Sequence, residues 1–422
     1  MERKQIADGV YLTALPAGQF HRCRVSINFI WPADRQWATA EALMPLLMER
    51  CCADCPDMTL LSKKLARLYG ASLSVDGVVN SGSRVLTVAV GGIKDEFALN
   101  GEKLSEEYAA LALGTAFRPY FVDGVFDPEA VAIEKEQLRE LIASEMNEKR
   151  AYCVRQARRK FFGDAPAGVE RYGYAQEVDG LTPETVTRAF FRMLRSARIE
   201  VMALGADACA VEQSVLKALE GIERAPAGLP AAFAQPAQAE QSFEEPMDTA
   251  QGKLCLLFTA GQPQRPEKLS AARVAVALLG GTATSRLFVN VREKRSLCYY
   301  CAASYASMAG LLCIDSGVEH QNAKAAKQAI LEELDALKEG PITAKELADT
   351  KRSLKNQLGA VGDTLQGMEN WYFGEIMRGS LFTPQQVMEQ VDAVTEEDVR
   401  NVLRMFTLSV SYTLTKGENA HV

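Results

Sequence analysis

Two kinds of apolar pattern run along this chain. Short runs rich in β-branched and aromatic residues occupy Arg24 to Ile30, Arg84 to Val90 and Lys253 to Thr259, and they read as strands. Longer stretches repeat at helical spacing. Lys324 to Lys338 places Ile330, Leu334 and Leu337 on one face. Thr343 and Glu346 have the spacing of a capping box opening a further helix. The two kinds do not alternate in short βαβ units. That predicts α+β domains with mostly antiparallel sheets, not a dinucleotide-binding arrangement.

One stretch breaks both patterns. Ala225 to Pro246 is rich in Pro, Ala and Gln, and its four prolines deny it a helix or a central strand. It reads as a linker between an N-terminal domain, residues 1–224, and a C-terminal domain, residues 247–422. The halves share a repeat. Val178-Asp179-Gly180-Leu181-Thr182 precedes Val186, and Val391-Asp392-Ala393-Val394-Thr395 precedes Val399 at the same offset. Thr182 and Thr395 are natural N-caps, with Pro183 at the first helical position of one copy and Asp398 completing an approximate capping box in the other. A strand-like run follows each helix, Ile199 to Leu204 and Leu408 to Leu414. Duplication explains this better than two unrelated helix starts.

Length and composition support two globular cores. The chain has 422 residues, 48% hydrophobic and 24% charged, with a formal net charge of −7. An acidic chain without a basic block is a poor nucleic-acid binder. The one basic stretch, Arg155 to Lys160, reads as a solvated helix face. No apolar segment has the length of a membrane span, and no h-region follows Met1, so a cytoplasmic location is expected. Ten cysteines fit that compartment as thiols. Cys51, Cys52 and Cys55 cluster, and Cys298 and Cys301 form a CxxC. A metal centre at either needs further ligands, and the histidines are only His21, His320 and His421.

Candidate chemistry concentrates in Gly280 to Tyr300. Ser285 is placed to cap a short helix reaching about Lys294, with Leu287, Phe288 and Val291 as its apolar stripe and Arg292 on the margin. A turn at Arg295-Ser296 leads into a strand from Leu297 to Ala303. Arg292 and Tyr299 then lie on adjacent elements joined by a tight corner. A guanidinium and a phenol so placed can meet one peptide carbonyl. The alternative is local: Arg292 pairs with Glu293 or Glu319 and Tyr299 packs. No Gly-Lys-Ser/Thr follows Gly280-Gly281, so no phosphate cradle is implied.

The run SRLFVNVREKRSLCYY resembles the C-terminal-domain signature of the insulinase and mitochondrial-processing-peptidase (pitrilysin-type) family. Leu68-Tyr69-Gly70-Ala71, Phe126-Asp127, Glu134-Lys135 and Asn147 to Tyr152 are similar to its bacterial companion-subunit branch. The resemblance implies two homologous half-clamshell domains, each with a six-stranded, mostly antiparallel sheet and flanking helices. Matched by position, Arg292 and Tyr299 become a substrate-binding pair. Active members hold zinc with His-x-x-Glu-His on a helix and a distant Glu. Here Ala42, Pro45 and Leu46 fall on that motif and Leu141 on the distant ligand, with Glu41 and Glu49 nearby read as solvated helix charges. No zinc is expected in this chain, only in an active partner subunit. The implied function is a non-catalytic subunit of a heterodimeric zinc peptidase, with a peptide as substrate. The rivals are a homodimeric binding or scaffold protein and an independent peptidase using the Cys51 to Cys55 cluster. Branch members are also associated with modification of translation elongation factor P.

Overall fold

The computed structural model describes residues 1–229 and 232–417. His421, and Pro230 and Ala231 of the expected linker, lie outside the described residues. The chain divides into two compact units, Met1–Ser144 with Val169–Ala231, and Glu145–Gly168 with Ala232–Val422.

The first unit is built on strands β1 (Glu2–Ala7), β2 (Val10–Leu15), β3 (Arg22–Pro32), β4 (Ser72–Asn80) and β5 (Ser83–Ile93), then a small hairpin, β6 (Phe121–Val122) and β7 (Val125–Phe126), and last β8 (Arg198–Leu204). The six-stranded sheet runs β1-β2-β8-β3-β5-β4. Every neighbouring pair is antiparallel except β2 with β8. Its helices are α1 (Ala38–Arg50), α2 (Met58–Arg67), α3 (Leu104–Phe117) and α4 (Pro128–Ser144). Ile27 and Phe29 of β3 and Val88 and Val90 of β5 bury against α1 and α3 in one apolar core. Next in the chain, α5 (Lys149–Phe162) belongs to the second unit, and α6 (Ala175–Val178), α7 (Pro183–Ser196) and α8 (Ala208–Leu219) return to the first.

The second unit holds β9 (Gln241–Met247), β10 (Gly252–Thr259), β11 (Cys298–Ala306), β12 (Leu311–Val318) and β13 (Thr407–Lys416). Its helices are α9 (Leu269–Val276), α10 (Ala323–Glu339), α11 (Ala344–Gly359), α12 (Leu365–Met377), α13 (Pro384–Ala393) and α14 (Glu396–Arg404). The sheet order is β11-β12-β10-β13-β9. Reversed, this is β2-β8-β3-β5-β4 of the first sheet, strand for strand. The sense of each pairing also agrees, with β9 parallel to β13 as β2 is to β8. The duplication suggested by VD-x-x-T therefore extends through the whole topology. The two Thr-capped helices, α7 and α14, lead into the equivalent strands β8 and β13, and both caps form. The box at Thr343 and Glu346 also closes.

Two expectations need correction. Among the described residues the second sheet has five strands, not six, because β1 has no counterpart there. The units are also not contiguous halves. Helix α5 lies on the second sheet, with Cys153, Phe161 and Phe162 packed on Leu257, Leu311 and Val410. The other face of that sheet meets α9, α10 and α14 through Leu256, Ile314, Ile330 and Leu403. Burial on both faces explains why β10 and β12 are buried almost throughout where a one-sided strand alternates. The Arg155 to Lys160 stretch is mixed, with Ala157 buried beneath its cations. The end of the Pro-rich segment is strand β9, at the edge of the sheet, where Pro246 interrupts no ladder between two neighbours. Among the described residues, no helix is long and apolar enough to cross a membrane.

Close packing of the α9 end against β11 sets the position of the segment that follows. A Cβ at Gly280 would fall 2.8 Å from the Ala303 backbone nitrogen and 2.8 Å from Leu287 Cδ1. Gly280→Ala must push strand and helix apart and is expected to cost about 1–3 kcal/mol. Urea unfolding checks this; an unchanged midpoint would show that the approach is not tight.

Candidate functional site

The backbone between Gly280 and Tyr300 is wound more widely than an α-helix. Leu287–Lys294 is π-helical, with the Arg295 N–H donating to the Asn290 carbonyl at 3.2 Å. Ser285 does not cap it. Its hydroxyl donates instead to the Thr282 carbonyl at 2.6 Å. Leu287 and Val291 are buried as expected, whereas Phe288 is only half-buried. The helix closes with Ser296 at φ 49° and the Leu297 N–H donating to the Val291 carbonyl at 3.2 Å. The first unit repeats this closure. Gly70 has φ 71°, and the Ala71 N–H donates to the Leu65 carbonyl at 3.1 Å. Leu73 is thus the counterpart of Tyr299.

Strand β11 then departs from its counterpart β4. Cys298 pairs with Val318 and Tyr300 with Gly317, so Tyr299 is the extra residue of a β-bulge. Bulges re-aim side chains, and Tyr299 is 49% exposed. Tyr300 lies under the Arg150 guanidinium, 4.4 Å from its ring centroid. Arg150 also pairs with Asp315 of β12. A Cβ at Gly317 would come within 2.4 Å of the Tyr300 ring, so only glycine admits that ring.

Arg292 and Tyr299 flank this corner and are weakly engaged. The Arg292 guanidinium lies 4.6 Å from the Phe288 ring centroid and 3.3 Å from Glu293 Oε1. The Tyr299 hydroxyl reaches Glu319 Oε1 at 3.4 Å. The expected Arg292–Glu293 pair is therefore present, whereas Tyr299 reaches Glu319 and does not pack; both contacts are long and exposed, worth little in solvent. Between them sits Cys298, which sequence reasoning treated only as part of a CxxC. The bulge turns Cys298 and Cys301 toward the same core. A hydrogen bond from Cys301 holds the Cys298 thiol down to about 7, assisted by the Ser316 hydroxyl and the Arg292 charge and opposed by burial. The CxxC was the available signal; the bulge was not legible.

The positions matched to the zinc ligands lie on α1 and α4. Ala42 and Pro45 are buried, and Leu46 and Leu141 are half-buried. None carries a donor atom. Arg50 of α1 pairs with buried Glu134 of α4 at 2.6 Å. The Arg84 guanidinium, 1% exposed, and Pro45 both border Gly77. It donates to the Arg171 carbonyl at 2.9 Å, and burial lowers its pKa to about 10. A buried cation beside apolar residues is the reverse of a zinc donor set, so these residues do not fit the metal. Among the described residues, no group of three or more His, Cys, Asp or Glu is arranged to hold a metal ion. The solvated reading of Glu41 is wrong, though Glu49 is exposed. Glu41 is 1% exposed, accepts from Trp31 Nε1 at 2.9 Å, and pairs with Arg192 at 2.8 Å. Burial raises its pKa.

The chain is similar to several known proteins. The Peptidase M16 inactive domain family matches residues 180–354. The "Probable inactive metalloprotease YmfF" of Bacillus subtilis is 24% identical over 420 residues, 99% of each chain. The "Uncharacterized zinc protease YmxG" of the same organism is 31% identical over 164 residues, 38% of this chain and 40% of that one. The fold matches the crystal structure of a conserved protein from Enterococcus faecalis with a TM-score of 0.89, at 24% identity over 100% and 99% of the chains. A protease from Helicobacter pylori follows at 0.78 and 12%, over 98% and 99%. The chain is thus similar to the Peptidase M16 inactive domain over residues 180–354 and, along its whole length, to a probable inactive metalloprotease.

Cys298 offers a direct reading of the corner's electrostatics. Iodoacetamide labelling of the native protein is expected to rise with pH through a midpoint near 7, since the thiolate is the nucleophile. Arg292→Ala should move that midpoint upward. Cys23, whose burial pushes its thiol up to about 12, should stay unlabelled. Peptide mass mapping across pH checks all three; a Cys298 midpoint unaffected by Arg292→Ala would place the guanidinium away from the sulfur.

Proposed function

We propose that this chain is the non-catalytic subunit of a heterodimeric M16 zinc peptidase, and that it lends Arg292 and Tyr299 to a peptide held at its partner's metal. One observation carries the reading. Tyr299 is thrust out of the strand ladder by a bulge its repeat counterpart lacks, and its phenol is half-exposed with one long hydrogen bond. A tyrosine retained only for packing needs no such bulge. The partner is a subunit bearing His-x-x-Glu-His and its zinc. The phenol donates to the substrate carbonyl oxygen as charge develops there, and Arg292 holds the neighbouring carbonyl. The branch's association with elongation factor P modification indicates where to seek the substrate.

The test is reconstitution with the active partner, reading assembly and peptide cleavage separately. Tyr299→Phe keeps the ring and should assemble normally while turnover falls about 10²–10³-fold. Arg292→Lys should also lower turnover, because an ammonium cannot make a planar two-point contact. Full turnover from an assembled Tyr299→Phe complex would contradict the proposal and leave a binding or scaffold role, as heterodimer or homodimer.

A further inference from the structure

The second cysteine pair differs from the first in its backbone. Cys52 and Cys55 close a tight turn directly after α1. The Cys52 N–H donates to the Cys55 carbonyl at 3.0 Å, and the Cys55 N–H donates to the Cys52 carbonyl at 2.9 Å. Residues that exchange both bonds have Cα atoms about 5.5 Å apart. That lies inside the window of about 4.4–6.8 Å that a disulfide requires. Both are free thiols here, at 1% and 4% exposure. Cys298 and Cys301, by contrast, share a thiol hydrogen bond but lie on one bulged strand paired with β12, and they do not pair with each other through the backbone. Cys255 and Cys313 approach to 3.6 Å between sulfurs but are buried on the sheet face that α5 covers.

Cys55 also lines a surface cavity of about 370 Å³ whose wall carries Lys63, Lys64 and Arg67. The acidic residues on the same wall are already engaged. Asp54 pairs with Arg118 at 2.6 Å, and Glu107 faces Lys64 at 3.9 Å. The cavity thus presents the positive charge of Lys63 and Arg67 to an incoming molecule, with Cys55 among its lining residues.

From this turn and this cavity we infer a thiol–disulfide exchange site, Cys52 with Cys55, that reacts with an acidic low-molecular-weight disulfide. The Cys55 thiolate attacks one sulfur of the reagent and expels one thiolate, forming a mixed disulfide. The Cys52 thiolate then attacks Cys55 Sγ and expels the second. The protein loses two electrons and its two thiol protons; the reagent becomes two thiols. The bridge joins residues whose backbones already pair, so it needs little rearrangement. It stiffens the turn whose Ala53 N–H donates to the Arg118 carbonyl. Burial raises the Cys55 thiol, so exchange is slow at neutral pH and quickens as pH rises.

The experiment uses the full chain, oxidised glutathione as the acidic reagent and cystamine as the basic one. After reaction, remaining thiols are alkylated and peptides mapped by mass. The expected result is a Cys52–Cys55 bridge, formed several-fold faster with oxidised glutathione, while Cys298 carries reagent as a mixed disulfide. Cys52→Ser should trap the reagent on Cys55. Lys63→Glu with Arg67→Glu should abolish the preference between reagents without preventing the bridge. Alkylation of both Cys52 and Cys55 in wild-type protein after prolonged oxidation, or a bridge at Cys298–Cys301 in their place, would overturn the site. Equal rates with the two reagents would overturn the role of the cavity. The wild-type map needs no variant to fold.

Discussion

Each unit is closed by the antiparallel pairing of its long central strand with its last strand, β3 with β8 and β10 with β13. These pairings join residues far apart in sequence, so the loop between them must be ordered before they form. Everything else hangs from them. They fix the sheet order, give the helices a face to cover, and set which segments become edges. In the first unit the edges are β1 and β4, and in the second they are β9 and β11. The arginine and tyrosine corner lies at the β11 edge.

Much of this was legible in the residues. Thr182, Thr343 and Thr395 cap helices because their hydroxyls follow polar turns and precede apolar periods, a local signal. The runs at Arg24, Arg84 and Lys253 were strands for the same reason. What failed was non-local. The apolar face of α5 is visible in Tyr152, Cys153 and Phe161, but nothing in its period says which sheet it covers. Glu41 looked like a surface charge, since its partners Trp31 and Arg192 arrive from β3 and α7. The bulge at Tyr299 exists only relative to β12 and has no signature in β11 alone.

The candidate site divides accordingly. At the matched zinc positions, Ala42, Pro45, Leu46 and Leu141 add apolar surface where active relatives need polar donors. Each methylene so buried contributes about 0.8 kcal/mol, and a preorganised polar site gives up that packing. At the other corner the opposite holds. Arg292 and Tyr299 remain exposed and loosely held, gaining little for the fold. A chain selected only for stability has no reason to keep that corner open. On the proposed reading, one half of a peptidase site is filled in this molecule and the other is kept.

The most direct test of this division is the zinc stoichiometry of the chain purified alone from chelator-free buffer, measured by elemental analysis beside a peptide-cleavage assay. The account predicts no stoichiometric zinc and no cleavage that a chelator removes. One tightly held zinc per chain, lost together with peptidase activity, would contradict it.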